Sequence, residues 1–170
     1  MRHLVVSMSV LAAGLVAACS GEPPAPTPDE RERFESKADE LSLVVPSSWT
    51  VTHDRGAIIL ASNEHPRRTI AIRSLPLSGS DAAAKVTSAT ETVLRGLPGV
   101  DDLARRPFSG PMPGIEYQLT FEPNHRGRYA RRHLLLTGER RAFHVIETAP
   151  VRTGDDSVFV ELVGSLREES

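Results

Sequence analysis

Residues 114 to 123 read GIEYQLTFEP, with an apolar side chain at every second position. Ile115, Tyr117, Leu119 and Phe121 share one side, and Glu116, Gln118, Thr120 and Glu122 the other. A period of two with one apolar face predicts a half-buried antiparallel strand. Residues 68 to 75 alternate in the same way, Ile70, Ile72 and Ser74 against Thr69, Ala71 and Arg73. Residues 57 to 62, AIILAS, form a short apolar run of strand length, and 41 to 54 are strand-like with a bend at Pro46, Ser47 and Ser48. A further strand is expected before Ser109. Residues 128 to 149 predict two strands about a turn at 137 to 140. That turn sets Leu136 opposite Arg141, Leu134 opposite Phe143 and His133 opposite His144.

Two segments change period. In residues 80 to 97 Ala82, Val86, Ala89, Val93 and Leu97 recur at three- and four-residue spacing. Ser80 or Asp81 is placed to cap this helix, and Gly96, Pro98 and Gly99 end it. Residues 155 to 168 predict a closing helix capped by Asp155 or Asp156, with Val158, Leu162, Val163 and Leu166 as its stripe. Strands joined by short turns, with a central and a terminal helix, give an α+β class: a mainly antiparallel sheet packed by two main helices. The expected domain covers residues 41–170.

The chain before it is of another kind. Met1-Arg2-His3 is a short positive start, Leu4 to Leu15 is apolar, and Val16-Ala17-Ala18 are small. That order is a secretory signal over residues 1–18, and its apolar centre is shorter than the roughly 20 residues of a spanning helix. The only cysteine, Cys19, follows directly, so the fold holds no internal disulfide. "VAAC" resembles the lipobox of bacterial lipoproteins. The resemblance implies cleavage between Ala18 and Cys19, a diacylglyceryl group on the Cys19 thiol and an acylated amine, hence a membrane partner through the lipid. The alternatives are an ordinary secretory signal cut elsewhere and an uncleaved anchor. Ser20 follows where an Asp would argue for retention at the inner membrane, so the expected place is the outer membrane, facing the periplasm. Residues 19–40 read as the acylated cysteine and a tether. Four prolines lie between 23 and 28, and seven acids stand against three bases after Cys19.

The opening LVVPSSW, the central helix, the strand meander and a closing helix ending in ELVGSL resemble the PsbP-like superfamily, to which DcrB-type bacterial lipoproteins belong. The resemblance covers about residues 41 to 168. It implies an α/β/α sandwich and members that mostly bind or steady other proteins, some as chaperones for secreted effectors, few as enzymes. It carries no catalytic pattern onto this chain.

Composition adds restraint. The net charge is −2 and the aromatic content 5%, which points to neither a nucleic-acid binder nor a disordered chain. Arg126, Arg128, Arg131, Arg132, Arg140 and Arg141 crowd the hairpin and form a candidate partner-binding patch, since guanidinium grips anionic groups in a two-pronged fork. Against this, lysine occurs only at 37 and 85, so arginine is the chain's general cation, and alternation sends Arg131 and Arg132 to opposite faces. His133 and His144 supply two ligands of a zinc site and lack a third, with His53, His65 and His125 distant in sequence. No Gly-x-Ser-x-Gly, His-Glu-x-x-His, Cys-x-x-Cys or phosphate-cradling glycine loop occurs. Asp101-Asp102 reads as turn chemistry, and Trp49 as a core plug. The expectation is an anchored, non-enzymatic binding or scaffold module for another envelope protein, with no cofactor, metal or nucleic acid. A carrier of lipid or a small apolar ligand is the alternative, and a hydrolase with scattered site residues stands behind both.

Overall fold

A computed structural model describes residues 30–63, 67–97, 103–121, 129–150 and 157–170. Ten strands and two helices are described, in the order β1 (Arg31–Ser36), β2 (Leu41–Pro46), β3 (Thr50–Asp54), β4 (Ala57–Ala61), β5 (Thr69–Pro76), α1 (Ala82–Arg95), β6 (Ala104–Phe108), β7 (Gly114–Phe121), β8 (Tyr129–Thr137), β9 (Arg141–Pro150), α2 (Ser157–Ser165) and β10 (Arg167–Glu168). Seven strands make one sheet in the order β3-β4-β5-β9-β8-β7-β6, antiparallel at every described pairing. β1, β2 and β10 make a second antiparallel sheet, with β2 in the middle.

The bend after Pro46 moves the chain from the small sheet to the large one. Trp49 N–H donates to the Pro46 carbonyl at 2.9 Å, and Trp49 packs against the main core as a plug. The next turn pairs Asp54 with Ala57 across Arg55 and Gly56, whose φ values are 47° and 73°. Two successive left-handed residues match the right-handed twist of a two-residue hairpin, and glycine adopts that conformation without steric cost.

Alternation gives the large sheet two interior faces. One carries Ile58, Leu60, Ile70, Ile72, Leu134, Leu136, Phe143 and Val145, packed against Leu41, Leu43 and Val45 of β2 and against Phe159, Leu162, Val163 and Leu166 around α2. The other carries Tyr117, Leu119 and Ile115, met by Leu94 and Leu97 from α1 and its end. One helix therefore covers each face, as the α+β reading requires.

Four local expectations are corrected. β1 occupies part of the stretch read as tether: its charged sequence RERFES lacks an apolar pattern, and it forms because all six residues pair with β2. The stripe on α1 is rotated. Leu94 is buried and Val93 is 64% exposed, because the larger leucine is drawn onto Tyr117 and Leu119. Asp81 stands at the N-cap, and its carboxylate bonds to Lys85 at 2.9 Å, not to the helix amides. The β8–β9 register is shifted by two. Leu136 faces Phe143, Leu134 faces Val145, His133 faces Ile146, and Leu135 faces His144. The turn is centred one residue later than expected, with Glu139 and Arg140 between the hydrogen-bonded Gly138 and Arg141.

Candidate functional site

Ala18, Cys19, Arg126, Arg128, His65, His125, Asp101 and Asp102 lie outside the described residues. The four remaining arginines of the expected patch do not share a surface.

Arg132 points to the α2 side. Its Nε lies 3.4 Å from Glu116 Oε1 and 3.5 Å from Glu147 Oε2, and its guanidinium sits 4.6 Å from the centre of the Phe159 ring. Arg106 holds Glu116 in a fork of two 2.9 Å bonds, Gln118 Nε2 donates to the same carboxylate at 2.8 Å, and Arg68 Nε approaches Glu147 at 3.4 Å. Glu116 and Glu147 are each only 5% exposed. The outward polar face expected for Glu116 is thus an interior one. A carboxylate is kept there only when charged donors replace its water.

Arg131 points to the α1 side, where burial pulls its pKa down. Its neighbour on that face is the histidine pair. His133 Nδ1 and His144 Nε2 are 3.0 Å apart, so one ring donates a hydrogen bond to the other. They sit diagonally across β8 and β9, because a shift of two residues preserves the face. Burial, then His144, then Arg131 push His133 down to about 3; burial and Arg73 push His144 down to about 4. Both rings are neutral at pH 7. Tyr117 stands opposite His133 in the register. Its hydroxyl donates to Glu91 of α1 at 2.9 Å, and Glu91 pairs with Arg105 at 2.8 Å. His53 lies on the edge strand β3 beside Asp39 at 3.9 Å. Among the described residues no three His, Cys, Asp or Glu side chains converge on a metal position.

Arg140 and Arg141 lie at the β8–β9 turn. Arg141 Nη2 bonds Glu40 at 2.7 Å and Nη1 donates to Ser74 at 3.1 Å. This pairing holds the Glu40 carboxyl below its usual range and raises Arg141. Arg140 faces the C-terminal tail. Its Nε is 3.5 Å from Glu168 Oε1, and its Nη2 donates to the Glu169 carbonyl at 2.7 Å. The Glu168 carboxylate also accepts the backbone N–H of Glu139 at 2.7 Å and of Arg140 at 3.0 Å. Glu169 bonds Arg33 at 2.9 Å and accepts from Ser42 Oγ. The tail is therefore a second set of site residues that no motif announces. The one hint was opposite charge, Arg140-Arg141 against Glu168-Glu169.

Two clefts open nearby. One, of about 650 Å³, is walled by Pro111, Met112 and Pro113, by the turn, and by the tail. The other, of about 540 Å³, is a groove between β2 and α2 lined by Val44, Pro46, Val158 and Leu162, with Arg31 and Arg167 at its rim.

No family model matches the sequence, and no curated protein matches it. Solved structures do. A Bacteroides thetaiotaomicron VPI-5482 protein is 15% identical with a TM-score of 0.63, over 81% of this chain and 48% of that one. The chain thus spans about half the length of that protein, and the likeness is one of fold. Cyanobacterial PsbP (CyanoP) from Synechocystis sp. PCC 6803 is 11% identical with a TM-score of 0.49, over 91% of this chain and 99% of that one. LpqN of Mycobacterium tuberculosis, described as involved in cell envelope biogenesis, is 14% identical with a TM-score of 0.45, over 78% and 83%.

Proposed function

We propose that the chain is a lipid-anchored cell-envelope protein whose domain works as a non-enzymatic binding or scaffold module for another envelope protein. The observation that carries this reading is the order Val16-Ala17-Ala18-Cys19, a proline-rich stretch, and then a fold that begins at Arg31. Ten residues, Ser20 to Asp29, separate the cysteine from the first described residue. Even fully extended they reach about 35 Å, so an acylated Cys19 holds the domain close to its membrane. Ser20 favours the outer membrane and the periplasmic side. The non-enzymatic reading is supported by how the ionisable groups are spent: His133 on His144, Glu116 and Glu147 on arginines.

Cys19→Ala tests the anchor. The expected product is an unacylated precursor, read by palmitate labelling, and labelling equal to wild type overturns the assignment. Crosslinking in intact cells is expected to capture one dominant envelope protein, lost with the anchor. The apolar groove beside Pro46 favours a second reading, a carrier of lipid or another apolar ligand. It predicts co-purifying lipid that Val44→Asp removes.

A further inference from the structure

The β8–β9 turn gathers donors at one point. Neither Glu139 nor Arg140 has a positive φ, and their consecutive N–H groups converge on one carboxylate, with the Arg140 guanidinium beside it. Such a turn is an anion-binding concavity, and charge-assisted bonds to a carboxylate are the strong kind. Gly138 makes the room. Its φ is not positive, so the backbone does not demand glycine there. A Cβ would stand 2.3 Å from Glu168 Oε2 and 3.0 Å from the Arg141 carbonyl.

The occupant is the chain's own segment 167–170, held by side-chain contacts more than by strand pairing, with one further backbone bond from the Glu169 N–H to the Glu40 carbonyl at 2.9 Å. β10 pairs only Arg167 and Glu168 with β2. The Glu168 side chain is nonetheless only 12% exposed. Beyond it the cleft of about 650 Å³ continues along Pro111, Met112 and Pro113, a size in the range of ligand pockets. Removing the tail would uncover the turn amides together with Arg140 and Arg33, which hold the tail's carboxylates and carbonyl.

We propose that this turn is a carboxylate-binding site for an acidic peptide segment of a partner protein, closed in the resting chain by its own residues 167–170. The tail acts as an intramolecular competitor. Its tethering gives it a high effective concentration, and a partner's affinity is reduced by the fraction of chains in which the tail is seated. The proposal rests on the binding-module reading, but not on the lipid anchor.

The test uses the full chain in detergent and a fluorescein-labelled peptide of the chain's own residues 164–170, GSLREES, read by anisotropy. Glu168→Ala is expected to bind this peptide at least tenfold more tightly than wild type. The same peptide with alanine in place of its first glutamate is expected not to bind, and Gly138→Val added to Glu168→Ala is expected to abolish binding. Equal affinity for both peptides, or no binding to Glu168→Ala, overturns the proposal. Should Glu168→Ala fail to fold, hydrogen exchange on wild type decides. Glu139 and Arg140 amides that open locally and are protected by excess peptide support the site; exchange only through global unfolding overturns it. A concentration-dependent wild-type dimer that Glu168→Ala abolishes would make a second copy's tail the occupant and also overturn it. Each failure leaves the palmitate-labelling result on Cys19 untouched.

Discussion

On the face of the large sheet that meets α2, Arg132 reaches two buried carboxylates and a phenyl ring; on the face that meets α1, two imidazoles share one hydrogen bond. Both faces bury ionisable groups within one or two strands of each other. The α2 face sets acids against bases, Arg132, Arg106 and Arg68 beside Glu116 and Glu147. The α1 face buries its histidines and sets Arg131 and Arg73 beside them, so the pair stays neutral. Pairing and neutralisation are the two available solutions to the cost of a buried charge. They differ in what breaks them. A paired network fails when one partner is removed, and a neutral pair fails when protons are added.

Acid is therefore the largest expected lever. Both histidines titrate lower in the fold than in the unfolded chain, near 3 and 4 against about 6.5. Between those values the unfolded chain binds more protons, so stability is retained above about pH 6.5 and lost as pH falls toward 4. At about 1.4 kcal/mol per unit per group, the pair accounts for a loss of about 4 kcal/mol between pH 6.5 and 4.5. Urea melts at the two pH values measure it. His133→Phe with His144→Leu is expected to flatten the dependence; an unchanged slope would place the acid sensitivity in other groups.

Next in size is Arg132→Met. It removes a guanidinium that reaches both Glu116 and Glu147, and breaking a buried ion pair from one side costs about 3–5 kcal/mol. The loss is expected at pH 7, where the histidine pair is silent. A loss below about 1 kcal/mol would mean that Arg106 and Arg68 suffice for the two carboxylates.

The α2 face also shows where sequence reasoning stops. The alternation in β7 was legible, and Tyr117 and Leu119 are buried as it predicts. Its polar side looked solvent-facing because glutamate there is normally exposed, and only Arg68 just before β5, Arg106 of β6 and Arg132 of β8 reveal an interior position. The histidine contact was legible for a related reason. The register was wrong by two residues, yet a shift of two keeps each side chain on its face, whereas a shift of one would have separated the rings. β1 and the tail were not legible. Both are polar: β1 shows no apolar alternation although it pairs with the adjacent β2, and the tail's partners lie far along the chain, since Glu168 binds a turn 28 residues before it and Glu169 reaches Arg33 across 136. The arginine cluster was legible in part: alternation already sent Arg131 and Arg132 to opposite faces, and the structure places them so.

The smallest of the three effects concerns a charged contact on the α1 face. Tyr117 is fully buried, and burial together with Glu91 raises its phenol pKa. Its hydroxyl donates to Glu91, which Arg105 also holds. Tyr117→Phe removes the donor and leaves the carboxylate with a partner, so the penalty is that of one net hydrogen bond, about 1 kcal/mol. The contact belongs to α1 alone, so amide exchange is expected to quicken around Glu91 while Phe159 to Val163 of α2 keep their protection. Equal loosening of both helices would mean that the two faces open as one unit, and that their contrast in chemistry does not extend to their dynamics.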